Sequence, residues 1–243
     1  MKKIPFFIAP CVIFILNCSN EFPRIEYTPD GDVETNLCTR VTYDRETEYC
    51  DPRTGITGEN KCYGRTDYNP ASELCDVRDG KLYKYKVIFT QIWMTENLNY
   101  NTNDYGSRCY SNDESNCLLY GKLYNWEAST KVCPIGWHLP SDNEWLELIS
   151  NVTTGNSSPP VTILKATTGW KNDNGTDDHG FSALPGGVTN QSIGYVGVWW
   201  TSDDVTTATG YGRYIGDIEI QRSVMRVSYN KEVLISVRCV KDK

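Results

Sequence analysis

Only two imidazoles are available to this chain, His138 and His179, so any acid–base chemistry of the histidine type would fall to one of them. His138 stands between Trp137 and Leu139 and reads as a structural histidine whose ring nitrogens hold a turn. His179 follows Asp177 and Asp178. A Ser-His-Asp set can be assembled on paper, but no G-x-S-x-G turn supports a nucleophile, and the expectation is no enzyme. The loop Lys171–Asp178 is the best metal candidate. Its Asp173, Asp177 and Asp178 offer the hard oxygen ligands that calcium prefers, although the spacing is not that of an EF-hand and a solvated turn is the commoner outcome. No C-x-x-C occurs, which speaks against zinc. Trp199 and Trp200 are adjacent, and in a strand they must point to opposite faces. One is expected in the core and the other exposed or under a loop. With Tyr211 and Tyr214 they form a ligand-binding candidate set, because such rings offer large contact area at low entropic cost.

The elements that would position these residues follow from pattern. Ser141 with Glu144 has capping-box spacing. Trp145, Leu148, Ile149 and Val152 then mark one apolar helical face. Residues 121–131 read as an earlier helix, with Leu123, Trp126 and Thr130 on one side. Residues 81–89 and 91–98 read as a hairpin, and short strands are expected at 181–184, 196–202, 211–215, 224–228 and 234–240. Two helices followed by a run of strands predict an α+β domain over 81–243.

The ends and the cysteines place the chain outside the cytoplasm. Lys2 and Lys3 precede an apolar run, Ile4 to Leu16, too short to span a bilayer. Residues 1–17 are expected to be a signal peptide. Ile15-Leu16-Asn17-Cys18 resembles a bacterial lipobox, with Asn17 in place of the usual small residue, so Cys18 is the expected lipidation site and residues 18–37 a linker after the anchor. The chain has ten cysteines. Cys11 would leave with the signal and Cys18 would take lipid, which leaves an even set for a disulfide framework. The formal charge of −7 gives no electrostatic case for nucleic acid.

Residues 38–80 hold a repeat. Tyr43, Glu48, Cys50, Asp51, Arg53 and Gly55 return 25 residues later as Tyr68, Glu73, Cys75, Asp76, Arg78 and Gly80. Units this short cannot bury a sufficient core, so each is read as a small β-hairpin stapled by its own bridge, Cys38–Cys50 and Cys62–Cys75. A loose, cysteine-bearing stalk is the alternative.

Gln91 to Tyr100, Tyr120 to Trp126, Cys133 to Trp145, Gly175 to Gly187 and Ser236 to Val240 together resemble the Fibrobacter succinogenes major paralogous domain, over roughly Asp79 to the C-terminus. The resemblance implies exported bacterial proteins, often lipoproteins, with no established enzymatic activity. It also implies a fold similar to that of C-type lectins and the formylglycine-generating enzyme, with Cys133 paired to Cys239 on the last strand. A Cys109–Cys117 bridge is expected besides. The functional expectation is a lipid-anchored, outer-membrane or cell-surface module for binding or adhesion. Its ligand would be polysaccharide or another envelope protein, with no cofactor beyond the calcium candidate. The alternative is an envelope enzyme on the formylglycine-generating-enzyme-like fold.

Overall fold

The computed structural model describes residues 47–53, 55, 57–103, 106–189, 191–216 and 222–243. A small hairpin comes first, β1 (Glu48–Cys50) against β2 (Thr57–Glu59), with Cys50 opposite Thr57. β3 (Glu73–Cys75) pairs with β4 (Leu82–Ile88), Cys75 opposite Leu82, and β4 turns into β5 (Gln91–Met94). This corrects the repeat reading. The Cys62–Cys75 bridge is present, with Cα atoms 6.0 Å apart, but the strand ending in Cys75 pairs with residues beyond the unit. Both hairpins instead close over the repeated Asp-x-Arg-x-Gly segment, and the second runs into the first long strand of the domain. The boundary expected at residue 80 therefore falls inside a hairpin turn. Cys50 is also disulfide-bonded; its expected partner Cys38 lies outside the described residues, as does Cys18.

The domain continues through β6 (Ser107–Arg108), α1 (Glu114–Tyr120), β7 (Leu123–Tyr124), α2 (Trp126–Ser129) and β8 (Trp137–His138). The helix expected over 121–131 is replaced by a strand and a single turn. Asn125 caps α2 by accepting from the Ala128 N–H, and α1 stops at Gly121, whose φ is 75°. A Cβ on Gly121 would sit 2.7 Å from the Leu98 carbonyl oxygen, so the position demands glycine twice over. The Cys109–Cys117 bridge ties α1 to the preceding turn.

α3 (Asp142–Thr153) forms as its pattern dictates. Ser141 and Glu144 exchange both bonds of a capping box, and Trp145, Leu148 and Val152 are buried. α4 (Pro160–Leu164) follows. Then come β9 (Gly197–Asp204), β10 (Thr209–Ile215), β11 (Met225–Asn230), β12 (Ile235–Ser236) and β13 (Val240–Lys241). Residues 181–184 form an isolated bridge, Ala183 to Lys165, rather than a strand. The strand expected over 234–240 divides between two sheets. Among the described residues these run β11-β10-β9-β12-β7-β6 and β3-β4-β5-β13-β8. Pairing is antiparallel except between β12 and β9, and the class is α+β.

α3 lays its apolar face over this framework. Trp145 meets Trp93, Phe181 and Trp199 at centroid distances of 5.0, 5.5 and 5.9 Å. The Cys133–Cys239 bridge spans 106 residues. In the chain-entropy model a loop of that length stabilises by about 4–5 kcal/mol.

Candidate functional site

Four of the five sequence motifs converge on a buried polar hub. Arg238, 0 % exposed, donates from Nε and Nη2 to Asn97 Oδ1 at 3.1 and 2.8 Å. It also donates to the carbonyls of Phe181 and Ser182. Trp199 Nε1 reaches the same Asn97 oxygen at 2.8 Å, while Asn97 Nδ2 donates to the Tyr120 carbonyl. Residues 97, 120, 181–182 and 199 thus join one network around Asn97 and the Arg238 guanidinium, which lies 4.5 Å from the Phe181 ring centroid. Desolvation draws the Arg238 pKa down to about 9, which leaves it charged at neutral pH. Its hydrogen bonds end on amide and carbonyl oxygens, an arrangement that offsets the cost of a buried cation. The hub holds the fold together and has no access to solvent.

His138 is occupied on both sides. Its Nδ1 lies 2.7 Å from Asp242 Oδ1 and its Nε2 2.9 Å from Glu144 Oε1. Glu144 also accepts from the Ser141 N–H and Oγ–H. The histidine thereby ties Asp242, just after β13, to the cap of α3. The Glu144 hydrogen bond raises the His138 pKa against opposing burial. Burial alone would raise the Glu144 pKa, but bonds from His138 and Ser141 hold it down to about 2. His179 packs against Phe89, ring centroids 4.9 Å apart.

The calcium candidates are not brought together. Asp173 Oδ2 pairs with Lys165 Nζ at 2.8 Å. Asp177 accepts from the N–H and Oγ–H of Ser182 at 2.7 and 2.6 Å, and Asp178 is exposed. Asp173 and Asp177 fasten the loop to its own neighbours, and among the described residues the three carboxylates form no ligand cluster. Among the described residues, the Cys109, Glu114 and Cys117 side chains do cluster within metal-binding distance. Both sulfurs there belong to a disulfide, which removes the thiolates a metal would need.

The tryptophans are the larger correction. Trp199 and Trp200 are both 0 % exposed, because β9 is an interior strand covered on both faces. Trp199 lies under α3, and Trp200 donates to the Tyr124 carbonyl and packs edge-on against Tyr229. Neither offers a surface. Tyr211 and Tyr214, on β10, are half-buried.

What Tyr211 does have is a charged neighbourhood that the sequence did not reveal. The Arg226 guanidinium, on β11, lies 4.5 Å from the Tyr211 ring centroid. Arg226 stands directly across from Arg213, a like-charge pairing that is ordinarily destabilising. Asp142, at the start of α3, resolves it by binding Arg213 Nη2 at 2.6 Å through one oxygen and Arg226 Nη1 at 3.1 Å through the other. The Asp142 N–H donates to Asp203 Oδ2 at 2.6 Å. Arg213 and Asp142 are buried, so removing either would strand a desolvated charge, at a cost of about 3–5 kcal/mol. Arg226 remains half-exposed. The only advance signal was the alternation that puts Arg213 and Tyr211 on one face of β10, and the opposing arginine required the register.

The disulfides among the described residues mark this α+β chain as an extracytoplasmic protein. Residues 87–241 match the Fibrobacter succinogenes major domain, and the chain belongs to that family. No curated protein and no solved structure matches the chain.

Proposed function

We propose that this is a surface-displayed bacterial lipoprotein, anchored through Cys18. In this reading its C-type-lectin-like domain binds polysaccharide without catalysis through the Tyr211–Arg226 face of β10 and β11. One observation carries the reading. A half-exposed guanidinium is held against an aromatic ring by a buried Asp–Arg pair, which presents stacking and hydrogen-bonding surface in a fixed geometry. Such preorganisation favours binding of polyhydroxylated ligands, since little side-chain entropy is lost on contact. Acid–base groups of the catalytic type are spent elsewhere, His138 on Glu144 and Asp242.

The test is a pull-down of purified mature protein on insoluble cellulose and xylan, comparing wild type with Tyr211→Ala and Arg226→Ala. Retention of wild type and at least a tenfold loss in either variant supports the reading. Equal retention of all three moves the site elsewhere. No retention, with capture instead by a purified envelope fraction, would favour a protein partner. Turnover of any glycan that is lost in His138→Ala would make the enzyme alternative the better one.

A further inference from the structure

The two tyrosine–cysteine repeats carry the same piece of chemistry in the same place. In the first, Asp51 Oδ1 accepts from the Arg53 N–H at 2.9 Å and from Arg53 Nε at 3.0 Å, while Oδ2 accepts from Nη2 at 2.7 Å. In the second, Asp76 binds Arg78 through the same three atoms at 3.1, 2.9 and 2.6 Å. Each turn is closed by the glycine N–H bonding back to the aspartate carbonyl, Gly55 to Asp51 and Gly80 to Asp76, both at 2.7 Å. Those glycines have φ of 70° and 74°. The bidentate pair fixes the guanidinium fork and leaves Nη2 with a second hydrogen to give.

That second hydrogen leaves the repeat. Arg53 Nη2 donates to the Cys133 carbonyl at 2.7 Å, and Arg78 Nη2 donates to the Val132 carbonyl at 2.8 Å. The acceptors are consecutive residues of the domain, just after α2 and at one end of the Cys133–Cys239 bridge. Arg78 also lies 3.9 Å from the Tyr100 ring centroid. The Arg78 and Asp76 side chains are 7 % and 0 % exposed, against 34 % for Arg53. The residue that follows the first hairpin is bonded to the turn of the second, the Lys61 N–H donating to the Val77 carbonyl at 2.9 Å. A cleft of about 350 Å³ is walled jointly by Tyr49, Leu74 and Val77 from the repeats and by Pro134 and Ile135 from the domain.

We propose that the segment Val132–Cys133 is a docking surface for Cys-Asp-x-Arg-x-Gly hairpins, and that the tandem repeats are a seated cap rather than a stalk. The partner this surface takes is a turn whose aspartate preorganises an arginine to read one backbone carbonyl. Two such turns sit side by side because two consecutive carbonyls face them. The functional unit then extends upstream of the residues matched by the family, at least to Glu48. It also follows why the repeated positions are aspartate, arginine and glycine: each is a part of the clip.

Peptide-level hydrogen exchange on the full mature chain tests this. Arg78→Ala and Arg53→Ala are compared with wild type and with Arg78→Lys, which keeps charge but cannot form the fork. If the cap is seated, Arg78→Ala speeds exchange at least tenfold both in the hairpin, 73–82, and in the receiving segment, 130–137. Arg78→Lys does the same, and α3 stays protected. Arg53→Ala produces a smaller increase, shared between 48–59 and 130–137; should Arg78→Ala fail to fold, that shared increase carries the test. Acceleration confined to the hairpins would mean that each arginine only staples its own turn, and would overturn the docking claim. So would wild-type hairpins that exchange at unprotected rates.

Discussion

Most side chains that look chemically equipped in this sequence prove to be fasteners. His138 is the clearest case, and its pH behaviour is a test of that role. Glu144 is held at about 2 against an ordinary 4.5, so its contribution to stability is present above about 4.5 and is lost as pH falls toward 2. The His138 pKa is raised above 6.5, so its contribution is complete below that value and is lost as pH rises through the raised pKa. Both partners are charged between those limits. His138→Gln should therefore cost most in mildly acidic solution, about 1–2 kcal/mol once the partial exposure of the ring is discounted. Urea-unfolding midpoints at about pH 5 and about pH 9 measure this, with a larger deficit expected at the lower value. An equal deficit at both would mean that the ion pair contributes nothing and only the ring's packing matters.

At the level of elements, local signals were legible where one segment decides its own fate. The capping box and apolar stripe of α3 are such a case, as is the β-branched and aromatic run of β9. Legibility failed where a partner decides. Alternation correctly put Trp199 and Trp200 on opposite faces of β9, but it carries no information on whether both faces are covered. The segment 234–240 reads as one strand because its apolar run is continuous, yet its two ends pair with β7 and β9 in one sheet and with β5 and β8 in the other. The Arg213–Asp142–Arg226 bridge joins three elements and had no linear signature. Gly121 shows how a single residue can settle an element boundary. With φ at 75° and the Asn97 and Leu98 carbonyl oxygens within 2.8 Å of any added Cβ, Gly121→Ala meets both torsional strain and collision. A loss of about 2–4 kcal/mol is expected, whereas a strain-free Gly→Ala exchange stabilises by about 0.4–1 kcal/mol. Thermal unfolding of the variant gives the value, and a change below about half a kcal/mol would mean that the chain relaxes around the methyl group.

For the molecule as a whole, the Cys62–Cys75, Cys109–Cys117 and Cys133–Cys239 bridges suit a protein that works outside the cytoplasm, where thiols stay oxidised. The proposed anchor rests on the first residues of the sequence. Lys2 and Lys3, the apolar run to Leu16 and the cysteine at position 18 have the order of a lipoprotein signal, and acylation with more than one chain would anchor the mature protein stably. Cys18→Ala should then move the protein from the membrane pellet to the soluble fraction while its bridges and unfolding transition stay unchanged, because the substitution lies upstream of every described element. Fractionation after high-salt and carbonate washes, with mass spectrometry of the N-terminal peptide, measures both arms. A wild-type peptide of unmodified mass, with the variant pelleting as before, would remove the anchor and leave retention to a protein partner.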